Sequence, residues 1–480
     1  MNFLFIRPWN YHDEGIKYHN LSLEWRNGPY SLLLLATLLR NKAHRVKILD
    51  LEESLIRFRG RVSNCLDFVR QEIEYLKPDI IGISFFSVQF LEAAKIVDVC
   101  RRTIEKEKIK TIIIGGGIHS SVEPNSVVNE IKCDFAFCGE GEDGLLRLAG
   151  GQDPVTIDGI YYKGMKSQTK GKYIGKLDDL PFPDWNLCNY LFYTNVGRNK
   201  RGIFKAGSLD IIMGRGCVNR CSFCAYNNLS PVKFYSEDYL IEQIKYMIRE
   251  FNTKCLYFLD SSLGNNKQLL IRLCEEMIKK GIAKKIEWYG NMRADQVDEN
   301  LLKLMWKAGC RFLFYGFESG SQRILDFLNK KTTVEDNYRA ALLHQKLRFP
   351  YNASMLINVP NEQEDDIRLS FEFVDKVRPP ALYFNWYVPL PGSYDYEKLK
   401  AAGYKVDDPY LWRKFGESSP SDLFFSGIPR DRLEKLLVEG KNREKAVEMW
   451  DVRKRYFDWR SRLQIAFHNK IERSLRFFTR

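Results

Sequence analysis

Short apolar runs alternate with helical patterns through residues 1–150. Asp79–Ser84 and Thr111–Ile114 are almost continuously apolar, which is typical of strands covered on both faces of a parallel sheet. Between them, Glu92–Glu105 has the spacing of an amphipathic helix. This alternation predicts an α/β domain with a doubly wound parallel sheet.

A second series of strand and helix patterns begins near residue 208. Six apolar runs are each expected to form a strand: Leu209–Met213, Leu256–Asp260, Ile286–Asn291, Phe312–Phe317, Ser354–Val359 and Leu382–Val388. Helical patterns between them predict a partial parallel (β/α)6 barrel over residues 208–395, with functional groups at the carboxyl ends of its strands. Residues 151–207 are irregular and are expected to be a linker with one hairpin over Ile160–Tyr173.

Residues 396–480 are expected to form a helical C-terminal domain that ends in a basic amphipathic tail. Segment 452–480 holds nine basic and two acidic residues, more than half of the net charge of +13. Its apolar positions recur every three or four residues and would form one stripe on a helix. Such a helix either packs on the barrel, which we favour, or lies on an anionic membrane surface. The rest of the chain is only mildly basic, and we expect no nucleic-acid partner.

Composition and the length of apolar runs indicate in which cellular compartment the protein is expected. The chain has 45% apolar and 28% charged residues, the balance of a folded protein. Its longest apolar candidate, Leu32–Leu39, is far shorter than the roughly 20 residues of a membrane-spanning helix. Met1–Ile6 lacks the features of a signal peptide. We therefore expect a cytoplasmic protein.

Three of the eleven cysteines lie within eight residues, directly after the first strand of the barrel pattern. Cys217, Cys221 and Cys224 have the spacing Cys-x3-Cys-x2-Cys, and no fourth cysteine or histidine stands beside them. A structural zinc site requires four ligands. Three thiolates in one loop instead suit an iron–sulfur cube with one iron left open to a reacting ligand. The alternatives are three unrelated cysteines or a degenerate zinc loop.

Glycine-bearing turns follow three successive strands of the first domain. In an open α/β sheet, ligands bind beyond the carboxyl ends of the strands, and glycines there allow a large flat ligand to approach the backbone. The turns therefore predict a ligand face, although each one alone is also compatible with an ordinary tight turn. The candidate binding residues are Ser84, Ser87, Gly115, Gly116, Gly117, Gly139, Glu140 and Gly141.

The cysteine loop, with Phe223 before its last cysteine, resembles the signature of the radical S-adenosylmethionine (SAM) superfamily. Other segments resemble the Rossmann-like cobalamin-binding domain and the later strand-end motifs of the class B branch of that superfamily. These segments are Gly28–Leu39, Pro78–Ser87, Gly115–Ser120, Gly139–Glu142, Leu177–Pro183, Tyr315–Gln322, Leu356–Pro360 with Glu362 and Glu364, and Pro389–Ser393. The resemblance covers nearly all of residues 1–395.

The resemblance implies specific roles. Cys217, Cys221 and Cys224 would bind a [4Fe-4S] cluster, and SAM would occupy the open iron. The residues that would contact SAM are Glu318, Ser319, Asp260, Ser261 and Arg293. Family members commonly have an acidic residue where Ser261 stands. The alternatives are a salt bridge between Arg293 and Asp295, and a helix N-cap for either serine.

Cobalamin would be held by the first domain, over the mouth of the barrel. The Asp-x-His-x-x-Gly motif that supplies a lower histidine ligand in many cobalamin proteins is absent. His12, His19 and His119 do not have its spacing, and His119 is expected only to cap a helix. The resemblance likewise implies cobalamin without that histidine ligand.

The expected activity is methylation of an unactivated carbon, or of a phosphinate phosphorus. By resemblance, one SAM would provide a 5′-deoxyadenosyl radical, methylcobalamin would deliver the methyl group, and a second SAM would restore it. An external one-electron reductant of the flavodoxin or ferredoxin type would be needed. The substrate is expected to be a small molecule, or a lipid or porphyrin-like compound. The alternatives are a cyclase that uses the same cofactors without methyl transfer, as in anaerobic porphyrin cyclisation, and a sensor without turnover.

Overall fold

The computed structural model describes residues 1–10, 27–194, 207–226, 229–416 and 421–447. In these ranges the chain forms two six-stranded sheets and one two-stranded sheet. The tail over 452–480, His12 and His19 lie outside the described residues, and the tail's predicted helix stays a prediction. No helix in the described ranges is both long enough and apolar enough to cross a membrane.

The first sheet is doubly wound, as predicted. Its strands are β1 Asn2–Arg7, β2 Arg45–Asp50, β3 Ile80–Ser84, β4 Ile112–Gly116, β5 Phe135–Phe137 and β6 Ile160–Tyr162. Their order is β2-β1-β3-β4-β5-β6, with β1 to β5 parallel and β6 antiparallel to β5. The winding reverses between β1 and β3, and the crevice at such a switch point is where ligands bind in this architecture.

Seven helices among the described residues cover the two faces of this sheet. They are α1 Tyr30–Arg40, α2 Leu51–Arg57, α3 Val62–Leu76, α4 Phe90–Glu107, α5 Ile118–Val122, α6 Pro124–Asn129 and α7 Glu142–Ala149. The central strands are buried on both faces, which explains their continuous apolar runs.

The predicted hairpin over Ile160–Tyr173 is wrong. Only its first limb is a strand, and this strand pairs with β5 and extends the first sheet. The apolar pattern located the strand, but a distant segment is its partner. The predicted domain boundaries at residues 150, 207 and 395 stay a prediction.

The second sheet is the predicted partial barrel. Its region contains β7 Leu209–Ile211, β8 Gly214–Arg215, β9 Lys233–Phe234, β10 Cys255–Phe258, β11 Glu287–Met292, β12 Cys310–Glu318, β13 Tyr351–Ile357 and β14 Ala381–Trp386. Six of these strands are parallel, in the order β14-β13-β12-β11-β10-β7, so each lies beside its neighbour in the chain. Uniform winding of this kind curves a sheet into part of a barrel.

The helices of the second half lie between its strands and after them. They are α8 Tyr190–Thr194, α9 Glu237–Phe251, α10 Lys267–Lys279, α11 Glu299–Lys307, α12 Gln322–Phe327, α13 Val334–Leu347, α14 Glu364–Val377, α15 Tyr394–Ala401, α16 Pro409–Trp412 and α17 Arg430–Ala446. Helices α15, α16 and α17 confirm the predicted helical C-terminal region, and α17 packs on β14.

The carboxyl ends of the two sheets face each other. A Cβ at Gly392, after β14, would lie 2.4 Å from the side chain of Val122, at the end of α5. Trp412 of α16 packs on the ring of His119, at 5.4 Å between centroids. Ligands of the two sheets would therefore meet between these ends.

Candidate cluster and cofactor site

The cysteine loop leaves the barrel directly after β7, at the carboxyl end of the second sheet. β8 and β9 pair antiparallel at its base. Gly216 has a φ of +77°, and a Cβ there would lie 2.8 Å from the carbonyl oxygen of Pro231. Glycine is therefore required where the two limbs of the loop meet.

Two later parts of the chain hold the middle of the loop. The Ser222 N–H donates to the Leu328 carbonyl at 2.9 Å, and Asn329 Nδ2 donates to the Arg220 carbonyl at 2.5 Å. The Asp395 N–H donates to the Ser222 carbonyl at 3.0 Å, and the Asp395 carboxylate accepts from Ser222 Oγ at 3.0 Å. The loop is thus fixed by contacts that do not require a cofactor.

The three thiols lie close enough to influence one another. Burial raises the pKa of Cys221, and it raises the pKa of Cys224 to about 11, with the Cys217 thiol adding to both shifts. Among the described residues, no three Cys, His, Asp or Glu side chains surround a position for a single metal ion. A cube binds its thiolates through different irons, so its ligands need not converge on one point. The loop therefore fits a cluster held by three thiolates.

Positive charge is concentrated beside Cys221. Arg293 Nη1 lies 3.8 Å from Cys221 Sγ, and Arg293 Nη2 donates to the Lys330 carbonyl at 2.7 Å. Lys330 Nζ in turn forms a salt bridge of 2.8 Å with Glu318 Oε1, and both side chains are nearly buried. Lys330 and Arg293 lower the pKa of Cys221 against the effect of burial, which favours the thiolate that binds metal.

Glu318 and Arg293 both contact Lys330 beside the cysteine loop, and their contacts with SAM stay predictions. Glu318 ends β12 with a φ of +66°, a conformation that is strained for a residue with a side chain. Arg293 also forms the salt bridge with Asp295 that we considered as its alternative role, with Nε 3.0 Å from Oδ1. Its Nη1 nevertheless faces Cys221, so the two roles are compatible.

Asp260 is committed to the backbone of the cysteine loop. Its two carboxylate oxygens accept from the N–H groups of Met213 at 2.8 Å and Gly214 at 3.0 Å. Burial raises its pKa to about 7, against the lowering effect of these two hydrogen bonds. Asp260 therefore holds the start of the loop, and its contact with SAM stays a prediction.

The two predicted serines have different surroundings. Ser319 is buried, and its Oγ accepts from the Ser321 N–H at 3.1 Å. Ser261 is exposed, and its Oγ accepts from Asn265 Nδ2 at 3.0 Å. Neither serine is the N-cap of a helix, because α12 is capped by Ser321 and α10 by Asn266. The proposed N-cap role is therefore wrong for both.

The glycine-rich carboxyl end of β4 and the turn that follows it form an open ledge beside β3. Gly117 has a φ of +94°, and a Cβ there would lie 2.6 Å from the Phe85 carbonyl and 3.2 Å from Ser84 Oγ. At Gly116, by contrast, the nearest atom to a Cβ would be the Ile83 carbonyl, at 4.0 Å. The missing side chain at Gly116 thus leaves backbone open to a flat ligand, which fits cobalamin. A Cβ at Gly115 would meet Val127 at 2.4 Å, so that glycine serves packing.

Ser87 faces inward, together with His119. The two ring nitrogens of His119 lie 2.9 Å from Ser87 Oγ and 2.9 Å from Ser126 Oγ. Burial lowers the pKa of His119 to about 3, so its ring is neutral. His119 is therefore a buried packing residue and not the helix cap that we expected. Both ring nitrogens are occupied, in agreement with cobalamin binding without this histidine.

The turn after β5 contacts the second half of the molecule. The Gly139 N–H donates to Ser121 Oγ at 2.9 Å, and Glu140 Oε2 accepts from the Ile174 N–H at 3.0 Å. Glu140 Oε1 lies 3.4 Å from Arg215 Nη1. A Cβ at Gly141 would be 3.9 Å from Leu35, in ordinary contact. The roles of all three turn residues in binding cobalamin stay predictions.

Sequence analysis did not identify Lys330, Asp395 or Arg215 as part of the site. Lys330 follows α12 without any motif, and Asp395 reaches Ser222 across 173 residues. Arg215 carried a signal, because it stands between two glycines and only two positions before the first cysteine.

Two family models match the chain. The B12 binding domain matches residues 22–149, and the Radical SAM superfamily matches residues 211–374. The first match spans most of the doubly wound sheet with its glycine turns. The second spans the cysteine loop and the barrel through β13 and most of α14.

Similar proteins share both parts. An uncharacterized methyltransferase of Pyrococcus horikoshii is 25% identical over 82% of this chain and 82% of its own length. The anaerobic magnesium-protoporphyrin IX monomethyl ester cyclase of Rubrivivax gelatinosus is 26% identical over 83% of this chain and 70% of its own length.

Among solved structures, the radical S-adenosylmethionine methyltransferase TsrM of Kitasatospora setae, with cobalamin and a [4Fe-4S] cluster bound, superposes with a TM-score of 0.70. It covers 91% of this chain and 90% of its own at 17% identity, which establishes the shared fold. The two matched domains, the fold and the cysteine loop lead to one conclusion: this chain is a cobalamin-dependent enzyme of the radical SAM superfamily.

Proposed function

We propose that the protein is a methyltransferase that replaces a hydrogen on an unactivated carbon, or on a phosphinate phosphorus, with a methyl group. When bound, the cluster, SAM and cobalamin supply the radical and methyl-transfer chemistry. The protein's residues position these groups and exclude water. The observation that supports the proposal most directly is that Arg215, two residues before the cluster cysteines, contacts Glu140 after β5, the strand that pairs with β4 and its open Gly116.

The relatives support methyl transfer first and cyclisation second. The names of the Pyrococcus horikoshii protein and of TsrM are those of methyltransferases. The Rubrivivax gelatinosus protein is named as a cyclase, and it is similar over as much of the chain. Cyclisation with the same cofactors is therefore the second candidate function.

The concave face of the barrel favours a substrate with a large apolar or conjugated surface. In β12, the Tyr315 ring meets His344 of α13 edge-on at 5.3 Å, so Phe314 points to the opposite, concave side. Tyr257 and Tyr289 stack at 4.9 Å, and Phe314 meets both edge-on at 5.9 Å. An aromatic surface of this kind binds flat or apolar molecules.

Uncharged polar groups interrupt the aromatic surface. Asn291 Nδ2 donates to the Asp260 carbonyl at 2.9 Å, and Asn385 Nδ2 donates to Ser354 Oγ at 2.7 Å. Arg293 and Glu318 stand above them, at the strand ends. This distribution supports a lipid or porphyrin-like substrate whose reacting part is uncharged.

The decisive experiment uses anaerobically reconstituted protein with SAM, hydroxocobalamin and a one-electron reductant of the flavodoxin type. Methyltransferase activity requires both 5′-deoxyadenosine and S-adenosylhomocysteine, and label from methyl-labelled SAM must appear in a lipid or tetrapyrrole acceptor. A Cys221→Ala variant is the matched control, and it should form no 5′-deoxyadenosine. Formation of 5′-deoxyadenosine without S-adenosylhomocysteine would support the cyclase. Absence of both products would indicate a sensor.

Contact with a membrane is a separate part of the proposal. It depends on the basic segment 452–480, whose charge suits anionic lipid headgroups. Sedimentation with vesicles of phosphatidylglycerol and phosphatidylcholine tests it. Binding that requires phosphatidylglycerol and is lost when residues 452–480 are removed would support the contact. Equal sedimentation of both proteins would contradict it.

A further inference from the structure

Arg215 joins the two halves of the molecule at a buried point beside the cysteine loop. Its Nη2 lies 2.5 Å from Glu142 Oε1, and its Nη1 lies 3.4 Å from Glu140 Oε1. Glu140 lies in the turn after β5 of the first domain, and Glu142 is the first residue of α7. Arg215 stands in β8, two positions before Cys217.

This contact is shielded from solvent on every side. The side chains of Glu140, Glu142 and Arg215 are 3%, 6% and 13% exposed. An arginine guanidinium is charged in folded proteins, and the attraction between buried charges is weakly screened by salt.

The group is not a neutral pair. Two carboxylates share one guanidinium, and among the described residues neither Glu140 Oε1 nor Glu142 Oε2 finds a hydrogen-bond partner. Removal of one member of such a buried group leaves uncompensated charge, which is far more costly than loss of an exposed salt bridge. The two halves should therefore separate or shift if Arg215 is neutralised.

We propose that Arg215, Glu140 and Glu142 form a latch that sets the position of the cluster loop relative to the cobalamin-binding turn. Arg215 acts here as a positioning residue. Because Arg215 is only two residues from Cys217, its contact connects the cluster loop to the carboxyl end of β5. The contact would thereby set the distance between the two metal centres, the cluster and cobalamin. The inference rests on the proposed function only for the identity of these centres.

The geometry explains why this position needs arginine. Its planar fork reaches two carboxylates at once, whereas lysine offers a single point charge. Arg220, in the same loop, provides the contrast, because within the described part of the chain its Nη1 bonds to the loop's own carbonyls, those of Cys217 and Asn219. Arg220→Gln is therefore the matched control for Arg215→Gln, because each variant removes one arginine from the same loop.

The first test requires no cofactor. Hydrogen–deuterium exchange is measured on the full chain as purified, for wild type, Arg215→Gln and Arg220→Gln. The latch requires faster exchange in Arg215→Gln in both segment 139–142 and segment 214–224. Arg220→Gln should change only its own loop. Unchanged exchange of 139–142 in Arg215→Gln would overturn the proposal.

A second variant covers the case in which Arg215→Gln does not fold. Glu142→Gln keeps the shape of the side chain and removes one of the two attractions. The latch requires that it too speeds exchange in segment 214–224, on the other side of the junction. If that segment exchanges as in wild type, Glu142 does not hold the loop.

The second test measures the separation of the metal centres. In protein loaded with cob(II)alamin and a reduced cluster, the latch predicts that Arg215→Gln changes the spin–spin coupling between the centres, while iron and cobalamin contents stay at the wild-type level. Arg220→Gln should retain the wild-type spectrum. An unaltered coupling in Arg215→Gln would contradict the latch. A wild-type enzyme that holds both centres but transfers no methyl group would contradict the proposed function and leave the latch standing.

Discussion

At the scale of single residues, Asp260 shows how a buried carboxylate can shape a cofactor loop. Its two oxygens accept from the Met213 and Gly214 N–H groups, at the point where the chain leaves β7. In Asp260→Asn, one of these N–H groups would face an amide donor instead of an oxygen. We expect a loss of about 1–3 kcal/mol in the free energy of unfolding. Urea denaturation and the iron content after anaerobic reconstitution, which should fall, measure the effect.

Ser261→Ala is the matched control for this change. Ser261 is the next residue, but its hydroxyl is exposed and contacts only Asn265. We expect wild-type stability and wild-type iron content in this variant. Normal iron content in Asp260→Asn would show that its carboxylate does not position the loop.

Glu362 should make stability depend on pH near neutrality. Burial raises its pKa from 4.5 to about 8, although Oε2 accepts from the Asn358 and Val359 N–H groups. Between these pKa values the folded protein binds more protons than the unfolded chain, so the free energy of unfolding falls as pH rises. Glu362→Gln removes this proton uptake. We expect it to reduce the slope between about pH 6 and pH 8, measured by urea denaturation of cofactor-free protein.

Glu364→Gln controls for loss of a nearby carboxylate. A hydrogen bond from Arg432 contributes most to lowering the pKa of Glu364, to about 2. Its contribution to stability is therefore present above pH 4.5 and is lost only as the pH falls toward 2. Glu364→Gln should leave the slope above pH 6 unchanged. An identical slope in Glu362→Gln and wild type would show that Glu362 keeps an ordinary pKa.

At the scale of elements, the three glycines at the end of β4 and directly after it differ in role. The fold requires Gly115 and Gly117, whereas Gly116 is open to a ligand. A Cβ at Gly116 would meet no atom closer than 4.0 Å. We therefore expect Gly116→Val to retain the melting temperature of the cofactor-free protein, since the new side chain points into open space. We expect at least a tenfold loss of hydroxocobalamin affinity, about 1.4 kcal/mol, because the valine occupies the ligand face. Calorimetry and optical titration measure the two effects.

Gly117→Ala provides the opposite case at the next position. Its φ of +94° and the approach of the Phe85 carbonyl to 2.6 Å from a Cβ make any side chain costly to the fold itself. This variant should therefore lose stability before any ligand is added. Wild-type hydroxocobalamin affinity in Gly116→Val would place the ligand away from this turn.

The helices and strands that could be predicted are those specified by their own sequence pattern, without reference to the segment on which they pack. The helix predicted over Glu92–Glu105 lies within α4, because its buried positions, Ala93, Ile96, Val97 and Cys100, recur at helical spacing. Helix α13 has no such stripe, because its buried face consists of Asn337, Ala340, Ala341 and His344, which give little apolar contrast. Its capping box, Thr333 with Asp336, was the available signal.

The same limit applies to the site. The cysteine loop was evident because its ligands lie within eight residues of one another. The Arg215–Glu142 and Ser222–Asp395 contacts span 73 and 173 residues, and no local pattern specifies such pairs. Asp260 and Arg293 were found as strand-end residues, but their contacts with the loop required the fold.

At the scale of the whole molecule, the C-terminal region joins the barrel to the cobalamin-binding domain. On the barrel side, Asn358 Oδ1 accepts from the Phe425 N–H at 2.8 Å, at the end of β13. On the other side, Arg413 forms a salt bridge of 3.0 Å with the buried Glu92 of α4. The C-terminal region therefore contacts both the barrel and the cobalamin-binding domain.

Trp412 is the apolar centre of this connection. Its ring meets the Phe90 ring edge-on at 5.6 Å and lies 5.4 Å from the His119 ring. His119 in turn contacts Ser87 Oγ. Trp412→Ala would leave a cavity there and cost about 3–5 kcal/mol in the free energy of unfolding. Because the cavity lies under the turn after β3, we also expect weaker hydroxocobalamin binding, measured by optical titration at a temperature where the variant is folded.

Tyr410→Ala is the control, since Tyr410 belongs to the same short helix but is 65% exposed. It should retain wild-type stability and wild-type hydroxocobalamin affinity. If Trp412→Ala lost stability but kept its affinity, the C-terminal region would support the fold without shaping the cofactor face. If stability and hydroxocobalamin affinity both fell, the C-terminal region would also hold the cobalamin-binding domain in the position that binding requires.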